Sequence, residues 1–417
     1  MKKDLARWPA TSALIILIGL LSAPISSGVA EDFEIKLRDL MADVRPAFVF
    51  IGGGSGAIIS PDGYMVSNAH VVGDKKHFTV RLGNGKSCKA YVVGLNREGD
   101  LALLKIQGVS ELDYLPLGDS DALRVGSYCV AVGNPLALGL VDQTPTFTIG
   151  VLSAKHLYRG IYNDALVTDV PVNPGNSGGP LVDMNGHLVG VNGSIETRWG
   201  LRANTGIGLA VPSNQIKRWL PHLKKAKGKN VPRGHLFGIE WEGQPEDYVQ
   251  GAIIRSVAEG SPASKFGLTA GDVIVKASGQ PVWNVARFKS ILAGYPAGSD
   301  IELTVQRDAE LKEISVKVQK PPKAGFKLSI GGENKKHVVV KKIEDDCAAA
   351  KAGLLKGDLI IGVGQQKLNG PPRRQLIVAS YLIRQFVAGG REVTLTVERS
   401  QNGKAVEKKI KFFPGSG

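Results

Sequence analysis

The run Asn173-Pro174-Gly175-Asn176-Ser177-Gly178-Gly179-Pro180-Leu181 leads into two short apolar segments separated by Asn185-Gly186, and this succession limits the fold more than any other feature of the chain. Residues Pro180 to Met184 and His187 to Val191 read as strands, and Asn-Gly is the dipeptide that favours a two-residue β-hairpin turn. Ser177 therefore lies in an all-β setting. Glycines around it tolerate positive φ and let peptide N–H groups approach a reacting carbonyl. The amides of Gly175 and Ser177, with Asn176 between them, are candidates for an oxyanion hole. The five residues from Gly175 also fit the G-x-S-x-G nucleophile elbow, but that motif needs a helix after the serine, and the hairpin excludes it.

A serine hydroxyl needs a base, and imidazole is the side chain whose ordinary pKa lies near neutral pH. Of seven histidines, His70 is the best placed, at the end of the strand-like Gly63-Tyr64-Met65-Val66-Ser67. His77, His156, His187, His222, His235 and His337 stand among polar or turn residues and read as surface histidines. None makes a metal-ligand spacing, so neither metal nor cofactor is expected. The base needs a carboxylate to fix its tautomer. Asp100 opens the apolar run Asp100-Leu101-Ala102-Leu103-Leu104, and the order His70, Asp100, Ser177 is that of chymotrypsin-type enzymes.

The pieces Gly54-Ser55-Gly56-Ala57-Ile58-Ile59, Asn68-Ala69-His70-Val71-Val72, Gly99-Asp100-Leu101-Ala102-Leu103-Leu104-Lys105, Val132-Gly133-Asn134-Pro135 and the Ser177 run together resemble the protease domain of the HtrA/Deg serine proteases. The resemblance spans about Val44 to Leu220. It implies a mostly β fold, a chymotrypsin-like double β-barrel with His70, Asp100 and Ser177 as catalytic residues between the barrels. Two departures stand out: Pro171 occupies a place where a small residue is usual, and Leu136 to Thr148 is unlike the shorter glycine-rich loop of the family. The strand Val191 to Ile195 borders the expected primary pocket, and with Ile195 and Ile207 apolar and no acid nearby, a small aliphatic side chain is expected before the scissile bond. The loops Gly139 to Gly150 and Asn192 to Gly208 hold few apolar residues, so the oxyanion hole is expected to be partly formed at rest.

The rest of the chain repeats. Ala263-Ser264-Lys265-Phe266-Gly267-Leu268-Thr269-Ala270-Gly271-Asp272 aligns with Ala349-Ala350-Lys351-Ala352-Gly353-Leu354-Leu355-Lys356-Gly357-Asp358 at an offset of 86. Each copy predicts a short helix ending at Gly267 or Gly353, then Gly-Asp entering an apolar strand. The copies resemble PDZ α+β domains, which implies peptide capture by β-augmentation. Phe237-Gly238-Ile239 matches a carboxylate-binding loop; the second copy offers Phe326-Lys327-Leu328-Ser329-Ile330 with serine at the glycine position, and it either binds peptide or assembles subunits.

The expected division is a signal peptide over 1–30, protease over 31–220, linker over 221–233, first PDZ over 234–320 and second PDZ over 325–414. The basic start at Met1-Lys2-Lys3, the apolar Ala13 to Leu21 and the small residues Gly28-Val29-Ala30 predict export, with cleavage after Ala30 or retention as an anchor. Cys88, Cys129 and Cys347 form no disulfide framework, and the first two fall in strand-like runs, which favours buried thiols. The formal net charge is +14, of which +10 lies beyond Lys320, where 18 Lys and Arg face 8 Asp and Glu. A solvated basic face accounts for it; contact with anionic membrane surface is the alternative, and nothing points to nucleic acid.

The resemblance thus implies an exported, periplasmic, ATP-independent serine endopeptidase that degrades unfolded or damaged polypeptides, binds C-terminal peptides, and assembles as a homotrimer or larger. Two other readings stay open: a peptide-binding chaperone with an idle protease, and a regulatory protease that makes one signalling cut.

Overall fold

The computed structural model describes residues 27–135, 144–159, 162–195, 206–243, 250–320, 324–332, 336–388, 393–401 and 404–412. Most of the expected leader lies outside the described residues; helix α1 (Ser27–Val44) runs across the expected cleavage point. No described helix is long and apolar enough to cross a membrane.

The first barrel is built from β1 (Phe48–Ile51), β2 (Gly54–Ile58), β3 (Tyr64–Ser67), β4 (His77–Leu82), β5 (Ser87–Asn96) and β6 (Leu101–Ile106), with helix α2 (Ala69–Val72) after β3. It closes in the order β1-β2-β3-β6-β5-β4 around buried Phe48, Ile58, Met65, Leu82, Leu101 and Leu103. From Ser87 to Val92 the side chains alternate exposed and buried, as a strand with one covered face requires. The second barrel comprises β7 (Tyr128–Gly133), β8 (Thr146–Arg159), β9 (Tyr162–Thr168), β10 (Pro180–Val182), β11 (Leu188–Ile195) and β12 (Gly208–Pro212), closed in the order β10-β11-β12-β9-β8-β7.

The β10–β11 hairpin forms, but not through a two-residue turn. Asp183 N donates to His187 O at 3.1 Å and Gly186 N donates to Asp183 O at 3.1 Å, with Gly186 at φ +79°. Asp183 Oδ1 accepts from the amides of Asn185 and His187, and this side-chain turn lengthens the connection to three residues.

Helix α3 (Ser213–Lys224) runs through Pro221, across the expected limit between protease and linker. Ile216, Trp219 and Leu223 are fully buried one helical face apart, and that burial offsets the hydrogen bond that Pro221 cannot donate. The close packing needs Gly94, where a Cβ would stand 2.4 Å from Leu223 O. The segment after the helix is also not a free linker. Gly228 N donates to Val93 O at 2.7 Å, Leu95 N to Lys229 O at 3.2 Å and Val231 N to Leu95 O at 2.7 Å, which ties it along β5. Its lysines signalled solvent exposure, and the signal did not carry the backbone pairing beneath them.

Two homologous sheets follow. The first holds β13 (Ile239–Trp241), β14 (Ala252–Val257), helix α4 (Pro262–Lys265), β15 (Val273–Ala277), β16 (Gln280–Pro281), helix α5 (Val285–Ala293), β17 (Asp300–Arg307) and β18 (Glu310–Lys317). The second holds β19 (Phe326–Gly331), β20 (His337–Ile343), helix α6 (Ala348–Lys351), β21 (Leu359–Val363), β22 (Gln366–Lys367), helix α7 (Pro372–Ala388), β23 (Val393–Gln401) and β24 (Lys404–Phe412). Both repeat one strand order, β13-β14-β15-β17-β18 and β19-β20-β21-β23-β24, so β13 and β19 are edges. The repeated Gly-Asp has a structural purpose. Buried Asp272 takes a two-pronged bond from Arg307 at 2.6 and 2.8 Å, and Asp358 takes the same from Arg399 at 2.7 and 2.7 Å. Each arginine also donates to the carbonyl of the helix-ending glycine, Gly267 or Gly353, at 2.7 Å.

Candidate active site

His70 and Asp100 are brought together by short departures from regular strands. Asn68 precedes α2 in extended backbone, and its Nδ2 donates to Asp100 O at 3.0 Å. Asp100 stands at φ +54°, a conformation that costs a non-glycine residue energy and that clusters at functional sites. The strained turn aims a 1% exposed carboxylate at the imidazole. Its Oδ2 lies 2.8 Å and its Oδ1 3.0 Å from His70 Nδ1, and Oδ1 also accepts from the His70 backbone N–H at 3.0 Å. The hydrogen bond to Asp100 raises the His70 pKa above 6.5, opposing the burial that lowers it. Half of the imidazole faces solvent.

Ser177 comes to this pair from the second barrel. Ser55 N donates to Ser177 O at 2.9 Å, while the Ser177 hydroxyl donates to Gly193 O at 3.0 Å. Among the described residues no hydrogen bond joins that hydroxyl to His70, so reaction needs a rotation about the Ser177 side chain. The glycines prove necessary by contact: a Cβ on Gly178, at φ +86°, would stand 2.2 Å from Ser55 O. Gly175, at φ +108°, turns its carbonyl away from Ser177, where Ser55 Oγ donates to it at 2.7 Å. The amide of Asn176 does not join the oxyanion hole, since it donates to Asn173 O at 3.0 Å in a tight turn. No described protein group accepts from the amides of Gly175 and Ser177, which leaves that pair for a developing oxyanion. Ser55 was visible in the sequence only as the serine of Gly54-Ser55-Gly56, with nothing to mark its grip on the loop.

The pocket residues are less assembled. Ile195 lies on β11 opposite Gly208, with its side chain outside the described residues, and Ile207 is exposed at 43% rather than walling a pocket. Leu209, which follows on β12, is buried in the core. Of the loops Gly139 to Gly150 and Asn192 to Gly208, residues 139–143 and 196–205 lie outside the described residues, while Thr146 to Gly150 belong to β8 and Asn192 to Ile195 to β11.

A trypsin-like peptidase domain model matches residues 54–191, and PDZ domain models match 227–318 and 313–398. The periplasmic serine endoprotease DegP of Salmonella typhimurium is 36% identical over 340 residues, covering 76% of this chain and 70% of that protein. The chain belongs to the HtrA/DegP serine endoproteases. The periplasmic pH-dependent serine endoprotease DegQ of Escherichia coli is 32% identical over 397 residues, 88% of this chain and 85% of that one. Among solved structures, the HtrA-type protease AlgW with a tripeptide is 31% identical with a TM-score of 0.54, over 69% of this chain and 98% of that one. The chain is thus a serine endopeptidase with two PDZ domains. The second PDZ match begins within β18, which pairs with β17 in the first sheet; the second module's own sheet starts at β19.

In this HtrA/DegP chain the first PDZ loop folds around Gly238, at φ +89°, whose carbonyl accepts from Ala258 N at 2.9 Å. Phe237 precedes it, and Ile239 begins the edge strand β13. Trp241 packs on the fully buried Phe288 of α5 at 5.3 Å between ring centroids, which ties the edge strand to the helix. The second module corrects the expected register. Its counterpart of Gly238 is Gly325, at φ +75°, whose carbonyl accepts from Glu344 N at 2.8 Å; Ser329 lies further along β19. Apolar Ala324-Gly325-Phe326 hid the match because Ala stands where the first module has Phe. His235 also departs from a surface reading: it stacks on Phe237 at 5.5 Å, and burial, helped by the Arg233 and Lys289 charges, lowers its pKa to about 4.

Proposed function

We propose that the enzyme is exported to the periplasm, there degrades unfolded or damaged polypeptides without ATP, and works as a homotrimer or larger. His70 takes the Ser177 proton, Asp100 holds the imidazole, and the amides of Gly175 and Ser177 receive the oxyanion of the tetrahedral intermediate. The observation that carries this reading is the 2.8 Å contact between His70 Nδ1 and the buried Asp100 carboxylate beside the Ser177 loop. The periplasmic names of the relatives and the basic, apolar first 30 residues support export. Peptide C-termini enter at Phe237-Gly238-Ile239, where an extended chain adds to the β13 edge and its carboxylate meets the loop amides. The domain limits follow the sheets, with the protease extended to Leu223 by its burial.

A second reading has one observation in its favour. The Ser177 hydroxyl engaged by Gly193 O fits a peptide-binding chaperone whose protease rests idle. Casein turnover by the wild type, set against suppression of aggregation by Ser177→Ala, separates the two. Rapid casein loss abolished by the substitution supports the protease; aggregation suppression with negligible wild-type turnover supports the chaperone.

A further inference from the structure

Tyr162 opens β9, and its hydroxyl donates to Asp100 Oδ2 at 3.0 Å inside the protein. The ring is 5% exposed and covers the triad from behind: a Cβ on Gly193 would stand 2.3 Å from the Tyr162 oxygen. Gly193 carries the carbonyl that holds the Ser177 hydroxyl. One side chain therefore touches the strand that holds the nucleophile and bonds to the carboxylate that orients the base. The next residue is gripped by the first PDZ domain, because Ser290 Oγ of α5 donates to Asn163 O. Arg287 of the same helix, 4% exposed, donates from Nη1 to His156 O at 3.1 Å on β8, the partner strand of β9. Trp219 Nε1 reaches Gly294 O at 2.9 Å just beyond α5, so the helix seats on the protease at several points. The opposite side of α5 presents Phe288 to Trp241 of the edge strand.

From this juxtaposition we infer that Tyr162 is a positioning residue for the reaction, holding Asp100 through its hydroxyl, and that docking of α5 on β9 holds Tyr162. The inference rests on the triad assignment above. Asp100 Oδ2 serves two donors, His70 Nδ1 and Tyr162, and Oδ1 serves the His70 backbone. The titratable groups facing the carboxylate are thus His70 and Tyr162 itself. Taking away the hydroxyl leaves the carboxylate with less compensation, so more negative charge faces the imidazole and the His70 pKa rises further. The carboxylate also gains a freedom that productive geometry does not tolerate.

The test uses the purified full-length enzyme and Tyr162→Phe, which keeps the ring that packs against Gly193. A hydrogen bond to a charged group corresponds to about a tenfold effect, so kcat falls about tenfold with KM little changed. The acid limb of kcat/KM, and of the rate at which a fluorophosphonate labels Ser177, moves to higher pH. Melting temperature checks that the variant is folded. An acid limb and a kcat both equal to wild type overturn the inference. Ser290→Ala leaves Tyr162 intact and tests the link to the helix: a several-fold loss of kcat is expected, shrinking in the Tyr162→Phe background. Equal losses in both backgrounds overturn the link. If the triad assignment itself were wrong, Ser177→Ala would keep its activity; if only Tyr162 is misread, Ser177→Ala is inactive while Tyr162→Phe behaves as wild type.

Discussion

The Ser177 hydroxyl donates to the carbonyl of Gly193 at 3.0 Å, which directs its proton to the backbone rather than to His70. A backbone acceptor on β11 and an imidazole on α2 compete for the same hydroxyl. On the proposed mechanism, a substrate strand that places its scissile carbonyl over the Gly175 and Ser177 amides would reward rotation of the hydroxyl toward the base.

Ser177→Ala is expected to remove nearly all peptidase activity, a loss of order 10⁶ in turnover of the kind seen when a triad serine is deleted. Folding survives, since the Ser177 carbonyl, not its hydroxyl, receives Ser55 N. Cleavage retained in a scrupulously purified variant would show that another nucleophile acts.

The pH profile should rise through a value above 6.5, because the Asp100 hydrogen bond favours the charged imidazole and only the neutral form is a base. The sign for stability is opposite. A raised folded-state pKa stabilises the fold most below the unfolded value, and that increment fades as pH climbs through the folded value. Asp100→Asn should depress the His70 pKa and cut kcat/KM roughly 10⁴-fold. Titration of His70 by NMR in both proteins checks the direction; an equal pKa in the two would refute the cause given.

Arg307→Ala should destabilise the first PDZ domain by about 3 kcal/mol, since it leaves the fully buried Asp272 without its partner. Burial pushes the Asp272 carboxyl up, but the Arg307 hydrogen bond and charge prevail and hold it below 3.8. The stabilisation is therefore present above the unfolded carboxylate range and is lost as pH falls below it. Denaturant melts at neutral and acid pH measure both statements; a variant as stable as wild type at neutral pH contradicts them.

Gly238→Trp should abolish peptide capture by the first PDZ domain, because even a Cβ at this positive-φ position would meet Ser261 Cβ at 2.2 Å. Cleavage of long unfolded substrates should drop more than that of short chromogenic peptides. Should a fluorescent C-terminal peptide no longer bind while long-substrate turnover stays unchanged, the loop neither delivers nor activates.

Cleavage sites mapped by mass spectrometry should fall after small aliphatic residues, with Lys and Arg poor at that place. No acid stands on the described part of β11 or β12 to receive a basic side chain.

The grouping of His70, Asp100 and Ser177 was readable because it sits in local strings: glycines around Ser177, small residues before His70, an acid at a strand mouth; the double barrel came only with the family resemblance those strings carry. The Gly-Asp repeat was legible for the same reason. What escaped depends on contacts distant in sequence. Arg307 and Arg399 complete the repeat from strands 35 and 41 residues beyond their aspartates. Tyr162 lies 62 residues from Asp100 and looks like any strand aromatic. Pro221 read as a helix end from local rules, whereas the helix continues through it to the buried Leu223. Gly325 escaped because alignment followed apolar character, whereas the fold follows backbone handedness.

Burial in the second barrel pushes the Cys129 thiol up to about 12, with the Asp183 and Asp169 charges adding to the effect. The thiolate is the nucleophile that attacks oxidants and disulfides, and a thiol held this high offers almost none of it in the folded enzyme. The nascent chain has no such shield. Cys129 lies on β7, which is flanked on one side by β8 and on the other by β10, where Leu181 pairs with Ala131. Strand β10 begins three residues after Ser177, so the pairing that seals the thiol also fixes the far end of the nucleophile loop. In an oxidising compartment, the window for sulfur damage closes with the same strand-pairing event that anchors the loop carrying the nucleophile, and a chain slow to close its barrel is exposed to both failures at once.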